Sequence, residues 1–87
     1  MHVASLPTLQ LTVDRLTVPA GLVRIDYTDE GGTHFLRIAG IPASRFELRV
    51  PMGPTTGTIR LHRGDYELYC SVPGHAAAGE RAILAVR

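Results

Sequence analysis

Glycine and proline fall in nearly every gap between apolar runs of this chain, and no run carries a helical repeat of useful length. What remains between the breakers is short and alternating, which is the pattern of strands buried on one face. Leu9, Leu11 and Val13 alternate with polar neighbours in a first strand that ends before Pro19-Ala20-Gly21. A second runs from Leu22 to Tyr27 with Val23, Ile25 and Tyr27 on one face, and Asp29-Glu30-Gly31-Gly32 reads as the turn that follows it. His34, Leu36 and Ile38 share a face in the next strand, then Phe46, Leu48 and Val50 in a fourth, with Glu47 and Arg49 towards water. Gly57, Ile59 and Leu61 mark a fifth, and Tyr66, Leu68 and Cys70 a sixth. Arg81 to Arg87 closes the chain with Ile83, and Ala85 in the same phase, expected inward. About seven strands at this spacing predict an all-β, two-sheet Greek-key sandwich.

Length and charge narrow the function. The 87 residues make one domain, residues 1–87, with no room for a second core. Nine Arg against eight acidic residues leave a formal charge of +1, so a basic nucleic-acid-binding face is not expected. Uncharged stretches are short and broken by Pro or Gly, so no membrane span is expected, and the start lacks the tripartite pattern of a secretory signal. If the protein is exported, this is its mature part or an excised domain. The single cysteine, Cys70, excludes an internal disulfide and the multi-cysteine zinc patterns. In so small a core a bound metal is a plausible additional staple.

The informative segment runs from Tyr66 to Glu80. Period-two alternation turns Tyr66, Leu68 and Cys70 inward, leaving the thiol at the inner end of a strand where the chain departs from its sheet. The Pro73-Gly74 turn can fold His75 back towards Cys70, and a thiolate and an imidazole on one such loop can share a metal. His34, inward on a neighbouring strand, is a candidate third ligand. An ordinary buried thiol and a satisfied core histidine are the bland alternatives, and the joint spacing of the three residues argues against both. His2 and His62 are expected in solvent.

These residues give the chain a resemblance to the cupredoxins, the small blue-copper electron-transfer proteins. It extends over essentially the whole sequence and is strongest in Gly64-Asp65-Tyr66-Glu67-Leu68-Tyr69-Cys70, Cys70-x4-His75 and the upstream His34. The resemblance implies one copper ion per chain, with His34, Cys70 and His75 as the three strong ligands. It also implies an electron carrier and not an enzyme, a monomer working in the periplasm or outside the cell. Its redox partners would dock transiently near His75, on the apolar rim of Val72, Pro73 and Ala76 to Ala78. In plastocyanin-like members the tyrosine at the place of Tyr69 lies on an electron route to the surface; a plain outward strand aromatic is the alternative here.

Two departures from the family pattern bear on the chemistry. Phe35 follows His34 where the family commonly has an Asn that ties the ligand loops together. Glu80 stands where the family has its weak axial Met, and Met52 lies in a different loop. A thioether is neutral and soft, whereas a carboxylate is anionic, hard and favours cupric copper, so a coordinated Glu80 lowers the reduction potential and weakens the copper–sulfur bond behind the blue colour. Cys, His, His and Glu also suit zinc as a substitute. Two other functions therefore stand beside the carrier: a non-redox copper or zinc module, and an enzyme with an opened copper site. A dinuclear copper centre would need a second Cys.

Overall fold

The computed structural model describes residues 1–29 and 31–87. Among them nine strands form two sheets: β1 (His2–Ser5), β2 (Leu11–Val13), β3 (Thr17–Val18), β4 (Gly21–Asp29), β5 (His34–Ile38), β6 (Leu48–Val50), β7 (Thr56–Leu61), β8 (Gly64–Cys70) and β9 (Arg81–Val86). One sheet has the order β2-β1-β4-β7 and the other β3-β9-β8-β5-β6. The chain thus leaves the first sheet for β3, returns for β4, crosses again for β5 and β6, returns for β7, and crosses a last time to finish with β8 and β9, giving the sandwich expected from the alternation.

The two inner faces supply the core. Val23, Ile25 and Tyr27 of β4 and Ile59 and Leu61 of β7 pack against Leu36 and Ile38 of β5, Leu48 and Val50 of β6, Leu68 of β8, and Leu84 and Val86 of β9. The sheets come close at Gly57, where a Cβ would lie 3.0 Å from Leu48 Cδ2 and 3.3 Å from the Phe46 ring. A side chain at that point would have to displace packed apolar groups.

Several expectations are refined. Strands β1 and β3 were not anticipated; both make parallel pairs, with β4 and β9, whose partners are remote in sequence. Leu9 lies outside any strand, with φ of 60°. The turn expected at Asp29 to Gly32 includes Glu30, which lies outside the described residues. In β9 the phase is opposite to that expected: Leu84 and Val86 are buried and Ile83 is 55% exposed. The register explains this, because Leu84 and Val86 stand beside Tyr66 and Gly64 of β8, on the row whose side chains face inward.

The fold brings two ligand candidates together by register alone. Leu36 pairs with Cys70 across β5 and β8, and His34 lies two residues before Leu36 on the same inner face. His34 and Cys70 are therefore diagonal neighbours at one end of the sandwich.

Candidate metal centre

His34 opens β5 and is buried, and Cys70 closes β8 and is buried. The segment between Cys70 and β9 then closes into a ring of backbone hydrogen bonds. His75 N–H donates to the Val72 carbonyl at 3.0 Å, Glu80 N–H to the His75 carbonyl at 3.0 Å, and Cys70 N–H to the Glu80 carbonyl at 3.1 Å. Ala78 N–H donates to the Gly74 carbonyl at 3.0 Å, making the Ala76–Ala78 stretch a tight turn. This closure folds His75 back over Cys70, as the Pro73-Gly74 turn implied, and carries the Glu80 side chain inward.

His34, Cys70, His75 and Glu80 each bring one donor atom into a group whose members all lie within 4.8 Å of one another. Cys70 Sγ is 3.4 Å from His75 Nδ1. Glu80 Oε1 is 2.8 Å from His34 Nδ1, and Glu80 Oε2 is 3.0 Å from His75 Nδ1. The imidazoles themselves are 5.3 Å apart between centroids. All four sequence-designated residues meet at one point, and Glu80, which by default belongs at a surface, is fully buried.

The hydrogen bonds around the cluster show which of its atoms are left without partners. His34 Nε2 lies 2.9 Å from the Gly31 carbonyl oxygen, which only accepts, so the Nε2 hydrogen is fixed there. In the neutral ring Nδ1 then presents a lone pair towards Glu80. Among the described residues neither His34 Nδ1 nor either Glu80 oxygen has a hydrogen-bond partner, even though they lie within contact distance. Ring nitrogen and carboxylate oxygen approach within contact distance without making a hydrogen bond. Fully buried acceptors without donors are costly unless a cation sits among them. A soft thiolate, two imidazoles and a hard carboxylate make a donor set suited to copper(II) or zinc(II).

Cys70 has a thiol pKa above its ordinary value. Burial is the largest cause; the backbone N–H groups of Phe35 and Val72 act the other way, and the Glu80 carboxylate adds to the rise. Those two N–H groups are donors that a metal-bound thiolate would keep. Backbone ties the two ligand-candidate segments together: Ser71 N–H donates to the Phe35 carbonyl at 2.9 Å.

Other neighbours were not legible in the sequence. Gly32 has φ of 84°, and a Cβ there would lie 3.4 Å from His34 Nε2, so this glycine leaves room for the imidazole and its bond to Gly31. Tyr27 is buried with its hydroxyl against Ser5 Oγ, close enough to Cys70 and Glu80 to feel their charge, and burial pushes its phenol well above the usual range. Of the remaining candidates, Met52 is 89% exposed on a separate loop, His2 and His62 are in solvent, and Tyr69 is half-buried on the face opposite Cys70. A depression of about 450 Å³ lined by Pro7, Leu9, Gly32, Val72, His34 and His75 opens over the imidazoles, and the His75 side chain is 21% exposed.

No protein-family model matches the sequence, and neither does any curated relative. Solved structures do. Auracyanin from Roseiflexus castenholzii superposes with a TM-score of 0.68 at 23% identity, over 99% of this chain and 94% of that one. Auracyanin A from Chloroflexus aurantiacus, described as a "blue" copper protein, gives 0.72 at 19% identity over 100% and 97%. Plastocyanin from Dryopteris crassirhizoma gives 0.63 at 20% identity with both chains covered in full. The chain has the cupredoxin fold. Its His34, Cys70, His75 and Glu80 cluster fits a cupredoxin site with Glu80 in the axial position.

Proposed function

We propose that this cupredoxin-fold chain is a one-electron carrier holding a single copper ion at His34, Cys70, His75 and Glu80. The observation that carries the reading is the convergence of these four buried donors, with His34 Nδ1 and both Glu80 oxygens unpartnered by hydrogen bonds among the described residues. Copper bound there supplies a cuprous/cupric couple. The chain does the rest through rigidity. Register fixes His34 and Cys70, the hydrogen-bonded ring of residues 70–80 fixes His75 and Glu80, and little reorganisation is left to accompany a change of charge. Gly31 holds the His34 tautomer, and the Phe35 and Val72 N–H groups stabilise negative charge on sulfur.

The partly exposed edge of His75 is the exchange port. Pro7, Leu9 and Val72 around it give an uncharged surface on which a redox partner would dock weakly and briefly. Tyr69 is a subsidiary route through its peptide link to Cys70. We infer a monomer working in the periplasm or outside the cell. Glu80 favours a low potential and a spectrum with weaker blue absorption than a thioether ligand would give.

Glu80 also supports a second reading, a copper or zinc module that does not cycle, because a carboxylate stabilises the divalent ion. Cyclic voltammetry and absorption spectroscopy of the copper-loaded protein separate the two. A reversible one-electron wave with thiolate-to-copper absorption is expected for the carrier. Stoichiometric metal binding without a reversible wave would establish the module instead.

A further inference from the structure

The two oxygens of Glu80 face different histidines. Oε1 is 2.8 Å from His34 Nδ1 and Oε2 is 3.0 Å from His75 Nδ1, with the carboxylate fully buried between the rings. Donors about 2.0–2.1 Å from one ion lie about 2.9 Å apart at a right angle and about 3.4 Å apart at the tetrahedral angle. Both nitrogen–oxygen edges match the right angle. The sulfur–nitrogen edge of 3.4 Å lies nearer the tetrahedral value for a sulfur at its longer bond length. A four-donor tetrahedron accounts for only one of these edges, because the other is made by an oxygen outside its donor set.

A carboxylate binding through one oxygen normally turns the other to a donor or to water. Here neither oxygen has a donor among the described residues. The neighbouring groups cannot provide one once the site is loaded: both Nδ1 lone pairs and the Cys70 thiolate are then directed at the ion. The backbone bonds that hold residue 80 in place use its N–H and carbonyl and do not engage the side chain.

We propose that Glu80 chelates copper(II) through both oxygens, so that the ion has five protein donors: Cys70 Sγ, two imidazole Nδ1 atoms and two carboxylate oxygens. The proposal rests on the copper reading above and deepens it. A fifth donor occupies the place an exogenous ligand would need, so the arrangement belongs to a closed, ligand-saturated centre and disfavours an opened copper enzyme.

The test is a crystal structure of the copper(II)-loaded protein, with X-ray absorption in solution to count light donors in the parent and in Glu80→Gln. Two copper–oxygen distances from Glu80 below about 2.5 Å are expected, with four light donors plus sulfur in the parent and three plus sulfur or fewer in Glu80→Gln. One short distance with the other beyond about 2.8 Å, or three light donors in both proteins, would overturn chelation and leave the copper site standing. Copper bound by His34, Cys70 and His75 without Glu80 would overturn it too. Copper found away from the cluster would overturn the carrier reading itself.

Discussion

Replacing Glu80 by Met should move stability in opposite senses in the metal-free and metal-loaded protein. A fully buried carboxylate faces two imidazoles, with no hydrogen bond on either oxygen among the described residues, and removing metal leaves it no cation to bind. Substituting a side chain of similar length and apolar character loses no hydrogen bond and removes a poorly compensated buried charge. Even when a protonated histidine provides a counter-ion, exchanging a buried ion pair for apolar groups commonly stabilises by about 1–4 kcal/mol. Taking roughly 2 kcal/mol, a domain of this size gains about 8–16 °C in Tm. With metal the balance changes. Loss of an anionic ligand that weakens binding about 100-fold removes about 2.7 kcal/mol of linkage stabilisation at saturating ion, enough to outweigh the gain and reverse its sign. The assay is thermal unfolding followed by circular dichroism, with chelator and then with excess zinc(II), which avoids oxidation of the unfolded thiol by copper. A metal-free Glu80→Met protein that melts at or below its metal-free parent would show that the carboxylate is satisfied in the empty fold. The reasoning from its orphaned oxygens would then be wrong.

Three further perturbations test the scaffold. Gly32→Ala places a methyl 3.4 Å from His34 Nε2 at a φ of 84°, so metal affinity should fall about 10-fold or more while the sheet circular dichroism persists; unchanged affinity in a zinc titration would remove Gly32 from the support of His34. Tyr27→Phe leaves Ser5 Oγ buried without its partner and should cost about 1–3 kcal/mol in a urea melt, and a neutral result would show that the pair contributes nothing net. Because the folded-state pKa of Tyr27 is raised, its contribution is complete below the unfolded value near 10 and is lost as pH rises beyond it; parent stability should therefore decline above about pH 10, and less steeply in Tyr27→Phe. Cys70 is 1% exposed with a raised pKa, so thiol reagents at neutral pH should label the native metal-free protein far more slowly than the urea-unfolded chain, and copper should slow labelling further.

The site was more legible in the sequence than the edges of the sheets were. Alternation put His34 and Cys70 on inner faces because Leu36 and Ile38 in one strand and Leu68 in the other set the phase, with Arg37 and Glu67 opposite them. In β9, Arg81-Ala-Ile-Leu-Ala-Val86 is apolar at nearly every position, so its phase has no local signal and is set only by pairing with β8. Strand β1 is similarly silent: four residues, one buried serine, and a parallel partner over twenty residues away in sequence. Ser5 points inward because the Tyr27 hydroxyl meets it there, a contact no local pattern encodes. Glu80 was designated through the cupredoxin resemblance alone, since a glutamate after Ala-Ala-Ala-Gly reads locally as surface.

The way residue 80 is held separates scaffold from chemistry. Its N–H and carbonyl close the loop onto His75 and Cys70, and any amino acid other than proline can make both bonds. Its side chain contributes nothing to that closure, and neither of its buried oxygens has a hydrogen-bond partner among the described residues. In the proposed copper site, residue 80 is therefore a position where softness and charge of the fourth ligand can change while Cys70 and His75 stay where they are. His34 differs: its Nε2 bond to Gly31 and its place in the β5–β6 register couple it to the sheet, so replacing it disturbs strand and site together. On the proposed copper reading, the fold concentrates tunable ligand chemistry at residue 80 and immobilises Cys70 and the imidazoles around it.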